Sequence, residues 1–319
     1  MRCALLYCIA SVCLTSSAVA DQHGRPASKL PPITALALTP DGNQVVVGSQ
    51  AGLELKALPN FELIAKLPSE LAHIHDISFS PDGSFLAVVG GAPSEFGSIE
   101  MFNWPDTSLR NRLQLYDDVN YALAWHSDSK TYAVGGADTR ISLYQLDSDS
   151  PVRVIEGHSR SVLTVAFLPD GNGLVSGGVD ESIRLWEEGS GELMRTLSNH
   201  SKPVVGLATR PGDWPGPVVI ASIGLDQTVR LWQPTIGRLM RFARLPSPPL
   251  DVCWLGDGRY IAVACKDGAL RILDPDTMEA LQELPALDGI AYCLGAALDG
   301  SVVLGGQYGQ LAIRKPQLQ

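Results

Sequence analysis

Residues 165–186, VAFLPDGNGLVSGGVDESIRLW, decide the fold of this chain. An alternating apolar run leads into Pro169-Asp170-Gly171, and a second apolar run then leads into Gly177-Gly178. Asp-Gly between two such runs is a strong signal for a β-hairpin. A third short run, SIRLW, follows the next turn. The segment therefore predicts three antiparallel strands joined by tight turns.

The same phrase recurs along the chain. Close copies are LALTPDGNQVVVG from Leu36 and ISFSPDGSFLAVVGG from Ile77. Weaker copies are LAWHSDSKTYAVGG from Leu123, VCWLGDGRYIAVACKDG from Val252 and LGAALDGSVVLGG from Leu294. Self-similarity at a fixed period indicates a repeat architecture, in which each repeat is one small unit that cannot bury its faces alone.

The turn aspartates set the period at about 43 residues and the number of repeats at seven. Successive turn aspartates are 41, 46, 42, 87 and 42 residues apart, and the long gap holds two repeats. Each repeat also has a weaker fourth strand, and four antiparallel strands form one propeller blade. The sequence thus predicts an all-β, seven-bladed propeller over residues 33–319. The turn aspartates are Asp41, Asp82, Asp128, Asp170, Asp257 and Asp299.

These repeats resemble the WD-repeat family over about residues 30–319. The resemblance implies a hydrogen-bonded tetrad in each complete repeat. It consists of a His before the first strand, a Ser or Thr in the second, an Asp in the following turn and a Trp in the third. Repeats four and five contain the full set. The implied tetrads are His158, Ser176, Asp180 and Trp186, and His200, Ser222, Asp226 and Trp232.

The other repeats depart from the family pattern. Repeat three keeps only Asp138 and has Tyr144 in the tryptophan position, and the remaining four lack the full set. The Trp-Asp dipeptide that closes family repeats is absent. The last repeat ends before a fourth strand, so the resemblance implies that an N-terminal strand near Ala27–Leu30, within a segment of residues 21–32, closes the ring.

Composition and charge narrow the classes of partner. The chain has 319 residues, a formal net charge of −10 and 45% hydrophobic residues, which is a globular composition. Acidic proteins repel phosphate backbones, and we see no basic run, so nucleic acid is not an expected partner. No segment after residue 20 is long and apolar enough to span a membrane.

Residues 1–20 read as a signal peptide. Arg2 is followed by an apolar run from Ala4 to Leu14, and Ala18-Val19-Ala20 provides small residues before Asp21. This pattern is typical of a cleaved secretory signal. We therefore expect an exported protein, periplasmic or extracellular, from a bacterium.

Six cysteines fall into two groups. Cys3, Cys8 and Cys13 lie in the expected signal, and Cys253, Cys265 and Cys293 lie in the mature chain. Three is an odd number, so at least one thiol stays free or pairs outside the chain. The apolar surroundings favour buried free thiols, and a bridge between Cys253 and Cys293 is the alternative.

The tetrads contain the residue types of a hydrolase triad, yet they predict structure rather than catalysis. Ser, His and Asp occur together twice at the repeat spacing, and a catalytic site is rarely built twice in this way. The G-x-S-x-G turn that exposes a nucleophile is missing. We predict no catalytic residues, no enzyme activity and no cofactor.

The start of the first strand in repeat two is the candidate channel mouth. His73 and His75 lie two apart and face the same way in a strand, and Asp76 follows. Asp251 occupies a similar position in repeat six. Two imidazoles on one face could bind a metal ion together with a carboxylate, but no third ligand is evident on that face, so the prediction is no metal. The two histidines are also candidate partner contacts.

Two aromatic residues are further candidate contacts. Phe96 lies in an inserted segment, GGAPSEFGS, where we expect an exposed loop; the alternative is that Phe96 folds back onto its own blade. Trp214 lies in the long turn of repeat five, where packing under its own loop is the alternative.

The sequence as a whole favours an exported scaffold for protein–protein interactions. We expect a monomeric propeller within a larger assembly, with other proteins as partners. The competing hypothesis is a propeller enzyme or small-ligand binder that uses the channel mouth. That hypothesis needs convergent charged side chains from several blades, and the inner strands supply few.

Overall fold

The Pro-Asp-Gly turns and the apolar runs beside them produce β-strands almost everywhere. The computed structural model describes residues 30–115, 118–212, 214–256 and 258–318. Within these ranges the chain forms 27 strands and two short 3-10 turns, η1 (Pro234–Ile236) and η2 (Gln307–Gly309). The expected signal peptide, Asp257 and residues 27–29 of the expected closing strand lie outside the described residues.

The strands follow one another in seven groups, one group for each blade. Blade 1 has β1 (Ile33–Leu38), β2 (Gln44–Ser49), β3 (Gly52–Ala57) and β4 (Leu63–Leu67). Blade 2 has β5 (His73–Phe79), β6 (Phe85–Ala92), β7 (Phe96–Asn103) and β8 (Leu109–Leu115). Blade 3 has β9 (Asn120–Trp125), β10 (Thr131–Gly136), β11 (Ile141–Gln145) and β12 (Arg153–Ile155). Blade 4 has β13 (Val162–Phe167), β14 (Leu174–Gly178), β15 (Ile183–Trp186) and β16 (Leu193–Leu197). Blade 5 has β17 (Val204–Thr209), β18 (Ile220–Gly224), β19 (Thr228–Gln233) and β20 (Arg238–Arg244). Blade 6 has β21 (Pro249–Trp254), β22 (Ile261–Cys265), β23 (Ala269–Leu273) and β24 (Ala280–Pro285). Blade 7 has β25 (Ala291–Ala296), β26 (Val302–Gly306) and β27 (Leu311–Arg314).

The sheets confirm the predicted seven-bladed β-propeller. Each of blades 1–6 is a four-stranded antiparallel sheet in sequence order, and blade 7 contains three strands within the described residues. The inner strands contact one another in a closed cycle that runs from β1 through β5, β9, β13, β17 and β21 to β25 and back to β1. The fourth strand expected for blade 7 falls on residues outside those described, apart from Leu30.

The core lies between the blades rather than in one centre. The described residues form seven hydrophobic clusters, and each contains side chains from two adjacent blades. The cluster of Ile33, Val45, Val47, Cys293 and Val303 packs blade 7 against blade 1. Burial of apolar side chains at every blade-to-blade contact therefore stabilises the ring, because it removes that surface from water.

Every inner strand has a bulge near its beginning. The register with the second strand shifts by one residue there in all seven blades. A bulge leaves one residue unpaired and re-aims its side chain. The bulged residues are Thr34, His75, Tyr121, Leu163, Val205, Leu250 and Tyr292.

The two faces of the ring carry different turns. We call the upper face the one with the turns between second and third strands and the connections from each outer strand to the next blade. The lower face carries the turns between first and second strands, including Pro-Asp-Gly. The inner strands line the channel between the two faces.

Candidate interaction surfaces and central channel

The structure brings all four residues of each expected tetrad together. In blade 4, His158 Nδ1 lies 2.9 Å from an Asp180 carboxylate oxygen and His158 Nε2 lies 2.7 Å from Ser176 Oγ. Trp186 Nε1 donates to the same Ser176 Oγ over 2.8 Å. Blade 5 repeats this arrangement with distances of 3.0, 2.8 and 2.9 Å.

In blade 5 the hydrogen bonds run in one direction along the tetrad. Trp232 can only donate, so the hydroxyl of Ser222 accepts from it and donates onward to His200. His200 then donates from Nδ1 to Asp226, which accepts also from Thr228. Burial lowers the pKa of His200, which keeps the ring neutral, as this chain of donors requires.

The geometry of the tetrads makes them internal ties, not reaction centres. The Ser176 and Ser222 side chains are fully buried, and each oxygen is already shared between a tryptophan and a histidine. A nucleophile needs access to a substrate, and these hydroxyls have none. Their bonds tie the second and third strands to the upper connection of their blade.

Blade 6 holds its tetrad aspartate in another way, which the family pattern did not predict. Leu245, Val263 and Leu273 occupy the histidine, serine and tryptophan positions there, judged by strand register. Asp267 instead accepts two hydrogen bonds from Arg271, at 3.0 and 2.7 Å. The Arg271 side chain is 1% exposed and also binds Glu283. An ion-pair network thus replaces the tetrad.

Two further blades that lack a tetrad carry a charge pair at the same cross-strand position. In blade 1, Lys66 on the outer strand lies 3.3 Å from Glu54 on the third. In blade 2, Arg112 donates to Glu100 over 2.9 Å. Opposite charges that face each other across strands stabilise a sheet. The third and fourth strands of these blades are therefore tied by charge.

The bulged residues surround the upper mouth of the channel, and the two histidines lie there together. The rings of His73 and His75 stack with centroids 6.4 Å apart, and the His75 ring meets the edge of Tyr121 from the next blade at 5.1 Å. The His75 Nε2 atom is buried and has no hydrogen-bond partner among the described residues. Burial lowers the pKa of His75 to about 4, and the charge of His73 adds to this effect.

Asp76 and Asp251 are half-buried on the inner strands, and each joins its blade to the next one. Asp76 accepts from the backbone N–H of Leu123 in blade 3 over 2.8 Å. Asp251 accepts from Leu294 in blade 7 over 2.8 Å. Thr164 does the same for Leu207 over 3.1 Å. These residues follow the bulge in blades 2, 4 and 6. In each of these three blades, a side chain therefore accepts a backbone hydrogen bond from the next blade.

The carboxylates of Asp76 and Asp251 make the stability of the protein dependent on pH. Burial raises the pKa of Asp76 to about 7, with a further increase from the charge on Asp251, and burial raises the pKa of Asp251 to about 6. The folded state then binds these protons more tightly than the unfolded state does. The two aspartates therefore contribute fully to the free energy of unfolding below the pKa of an unfolded aspartate. That contribution is lost as pH rises through their pKa values in the folded state, about 6 for Asp251 and about 7 for Asp76.

We expect Asp76→Thr to flatten the fall in stability between pH 6.5 and pH 8. Threonine forms the equivalent inter-blade hydrogen bond at Thr164, and its side chain has no charge to bury. In the unmodified chain, ionisation of Asp76 should lower the free energy of unfolding by on the order of 1 kcal/mol as pH rises across this range. The measurement is the free energy of unfolding by urea at several pH values, in both proteins.

The chosen pH range separates Asp76 from the histidines. The lowered pKa values of His75 and His200 make stability rise with pH, but only up to about 6.5, the pKa of an unfolded histidine. The matched control is Asp170→Asn, which changes an exposed turn aspartate. Equal slopes in the Asp76→Thr variant and the unmodified chain above pH 6.5 would contradict the assignment.

Phe96 does not lie on the exposed loop that we expected. It is the first residue of β7, pairs with Ala92 of β6 and is half-buried. The inserted residues lengthen the hairpin, because β6 and β7 have eight residues each, and leave a turn of only three residues, 93–95. The insertion therefore becomes extra β-ladder.

Trp214 packs onto its own blade and the next one. The guanidinium of Arg210 stacks over the Trp214 ring at 3.6 Å and lies 4.9 Å from the Trp254 ring of blade 6. Arg210 also donates to the carbonyl of Gly258 over 2.8 Å. Trp214 is half-buried, so one face of this aromatic and cationic stack stays accessible on the lower face.

The three described cysteines are free thiols. Cys265 and Cys293 are buried and Cys253 is half-buried, so the alternative of a Cys253–Cys293 bridge is wrong. Burial raises the pKa of Cys265 to about 11 and also raises the pKa values of Cys253 and Cys293, which keeps the thiols protonated and unreactive.

The described part of the chain shows neither a metal cluster nor a membrane-spanning helix. No group of three or more His, Cys, Asp or Glu side chains within those ranges is placed to hold a metal ion. Over the same residues, no helix has the length and apolar character needed to cross a bilayer.

Comparison with known proteins agrees with this geometry. The family model described as WD domain, G-beta repeat matches residues 62–92, 149–187, 191–233 and 246–274, a little under half of the chain. The second and third matches contain the two tetrads. The other two fall on blade 6 and on the segment that leads from β4 into the second strand of blade 2.

Three curated proteins are similar to parts of the chain. WD repeat-containing protein SL1-17 of Schistosoma mansoni is 35% identical over 100 residues, which are 31% of this chain and 32% of that protein. Actin-interacting protein 1-2 of Arabidopsis thaliana is 34% identical over 149 residues, 44% of this chain and 23% of that protein. An uncharacterised WD repeat-containing protein of Synechocystis sp. is 25% identical over 146 residues, 45% and 40% of the two chains.

The matched regions span less than half of each of these relatives. The shared property is thus the repeat itself and not the function of a whole relative. Together with the matched repeats, the two tetrads and the seven blades, these similarities support the placement of this chain in the WD-repeat family.

Proposed function

We propose that this chain is an exported scaffold for protein–protein interactions and has no catalytic site of its own. The observation that carries the proposal is the use of its polar groups. The two Ser-His-Asp sets are closed by tryptophan, and the channel carboxylates accept backbone hydrogen bonds. A ring whose Ser-His-Asp sets and channel carboxylates are satisfied internally supports binding rather than chemistry.

The WD-repeat similarity supports the same function by analogy. Propellers of this kind present several surfaces at once, namely the upper face, the lower face and the rim. One relative is named for its interaction with actin, which is a statement about that protein alone. For this chain, the proposal of export rests on residues 1–20, and the proposed partners are other proteins of an assembly outside the cytoplasm.

Phe96 and Trp214 are the proposed contacts on the two faces, with His73 and His75 at the channel mouth. Phe96 marks the tip of the longest hairpin on the upper face. Trp214, stacked on Arg210, marks the lower face. Aromatic residues and arginine are enriched among residues that dominate binding energy at interfaces. Their partial burial favours rigid anchors that lose little entropy on binding.

We expect the tagged mature chain, residues 21–319, to retain a stoichiometric protein partner from a native extract. The Phe96→Ala/Trp214→Ala variant should lose a partner that binds either residue, because truncation of an anchor removes most of its contact energy. Leu281→Ala is the matched control, since it changes an exposed apolar residue on the rim of blade 6. Quantitative mass spectrometry measures the enrichment.

Two further measurements test export and the competing function. N-terminal sequencing of the natural protein should find Asp21 as its first residue, and a retained residue 1–20 segment in the cytoplasm would contradict export. A small ligand or metal that copurifies without any protein would favour the channel mouth instead. The unpartnered His75 Nε2 is the observation behind that second function, and His75→Ala should then release the ligand.

A further inference from the structure

The outer strand of blade 5 concentrates positive charge on an acidic protein. Residues 227–250 contain four arginines and no lysine, aspartate or glutamate, whereas the whole chain has a net charge of −10. Three of the four, Arg238, Arg241 and Arg244, lie on β20 and are exposed. They do not form a continuous basic run in the sequence, because apolar residues separate them.

These three arginines have no counter-charge among the described residues. No acidic side chain in that part of the chain lies within ion-pair distance of Arg238, Arg241 or Arg244. The arginines on the outer strand of blade 2 differ, because Arg110 binds Asp147 and Arg112 binds Glu70 and Glu100. Uncompensated charge on a rim attracts ligands of opposite sign and increases their rate of encounter.

A bulge in β20 decides which arginines share a face of the strand. Leu239 pairs with Trp232 and Arg241 pairs with Leu231, so the register skips Met240. Arg238 and Arg241 consequently share the face towards blade 6. Phe242 and Arg244 share the face towards blade 4, beside Arg230 of β19.

Phe242 adds an apolar contact to this basic strand. Its side chain is 57% exposed, and the Arg230 guanidinium lies 5.4 Å from its ring centroid. Arg195 of blade 4 approaches the same groove and donates to the carbonyl of Thr235 over 2.8 Å. The groove between the outer strands of blades 4 and 5 thus joins guanidinium groups and an exposed aromatic ring.

The strand also offers a free backbone edge. β20 is the last strand in the sheet order β17-β18-β19-β20, so one side of its backbone is paired with β19 and the other faces outward. At seven residues it equals β8 as the longest outer strand in the described part of the ring. An open edge of this length can accept an added strand from another chain.

We propose that the β20 edge binds an extended acidic segment of a partner protein. Backbone hydrogen bonds would add the segment to the edge of blade 5. Its carboxylates would lie against Arg238 and Arg241 on one face and Arg244 on the other, and an apolar side chain would pack on Phe242. This inference rests on the proposed scaffold function and names the chemistry of one partner.

An acidic peptide fits this edge better than a nucleic acid does. A phosphodiester chain can accept hydrogen bonds from arginine but cannot pair with both the N–H and the C=O groups of a strand edge. The basic strip is one strand wide on an acidic body, which repels a long polyanion. A short acidic segment meets the strip without that repulsion.

The test uses a fluorescent peptide of about ten residues with Glu and Asp on one face of the extended chain and Val, Phe and one Asp on the other, a pattern suited to strand addition at this edge. Binding to the mature propeller is measured by fluorescence anisotropy. We expect saturable binding that weakens with salt and is at least about tenfold weaker for the Arg238→Gln/Arg241→Gln/Arg244→Gln variant. Arg110→Gln/Arg153→Gln, on the rims of blades 2 and 3, is the matched control.

Two further probes separate an added strand from simple charge attraction. A peptide of the same charge with prolines in the strand positions should bind at least about tenfold more weakly, because proline cannot donate to the edge. A single-stranded oligonucleotide of equal length should bind more weakly than the acidic peptide. Equal affinity for the proline peptide, preference for the oligonucleotide, or no effect of the triple variant would each overturn the proposal.

This experiment fails independently of the proposed function. If the triple variant still retains the protein partner from native extract while peptide binding is absent, the scaffold function stands and the β20 inference is wrong. If no partner is retained by the unmodified chain, the scaffold function is wrong whatever the peptide does.

Discussion

Replacing Ser222 with alanine is expected to lower the free energy of unfolding by about 2–5 kcal/mol. The hydroxyl of Ser222 is shared by Trp232 and His200, at 2.9 and 2.8 Å, in a fully buried position. Alanine removes the oxygen but leaves a buried indole N–H and a buried imidazole nitrogen without partners. Each orphaned group bears its full desolvation cost, about 1–3 kcal/mol.

The measurement is equilibrium unfolding by urea, with Ser201→Ala as control. Ser201 is exposed in the same upper connection, and only its backbone N–H contacts Asp226. Ser176→Ala should match Ser222→Ala, because blade 4 has the same geometry. A loss below about 0.5 kcal/mol, which is typical of surface substitutions, would show that the tetrad does not support the ring.

Blade 3 shows why the serine and the tryptophan can be absent together without such a cost. Val134 occupies the serine position and Tyr144 the tryptophan position, so neither a serine hydroxyl nor an indole N–H is buried at these two positions. Replacement of both partners by groups that need no hydrogen bond to each other is nearly neutral, whereas removal of one partner is not. The prediction for Ser222 therefore depends on Trp232 and His200 staying in place.

The blades and tetrads could be predicted from the sequence because both are local in their pattern. The Asp-Gly turns set the strand spacing, and His200, Ser222, Asp226 and Trp232 keep the same order and nearly the same intervals as His158, Ser176, Asp180 and Trp186. A repeat imposes one geometry on each copy, so equal spacing in sequence becomes equal position in space.

The charge pairs could not be predicted in this way, because no shared residue type marks them. Glu54 and Lys66, Glu100 and Arg112, and Arg271 and Glu283 stand at one cross-strand position, yet the acid lies on the third strand in two blades and on the fourth in the other. Only the strand register shows that they correspond. The family pattern does not include these residues.

Register also explains the error at Phe96 and the arrangement of arginines on β20. The segment around Phe96 looks like a loop because it contains glycine, proline and serine, but its residues pair across the hairpin. The sequence does not show which arginines of β20 share a face, because nothing in it marks the bulge at Met240. In both places backbone pairing decides which side chains meet, and periodicity alone does not determine that pairing.

Replacing Arg112 with leucine is expected to lower the free energy of unfolding by about 3–5 kcal/mol. The Glu100 side chain is 0% exposed, and Arg112 is its only cationic contact among the described residues, at 2.9 Å. The backbone N–H of Glu70 is its remaining donor there, and Glu100 Oε2 has no hydrogen-bond partner even in the intact pair. Without Arg112, a charge stays buried with one hydrogen bond.

A double-mutant cycle with Glu100→Leu decides whether the pair or the packing matters. If the loss in Arg112→Leu comes from an uncompensated charge, Glu100→Leu/Arg112→Leu should recover most of the stability, because apolar residues of similar volume often replace a buried ion pair at no net cost. Arg110→Leu breaks an exposed pair with Asp147 and weak contacts with Asn103 and the Phe85 ring, so it should cost less than about 1 kcal/mol. A double variant as unstable as Arg112→Leu would instead mean that the long side chains fill blade 2, and that the charges contribute little to its third and fourth strands.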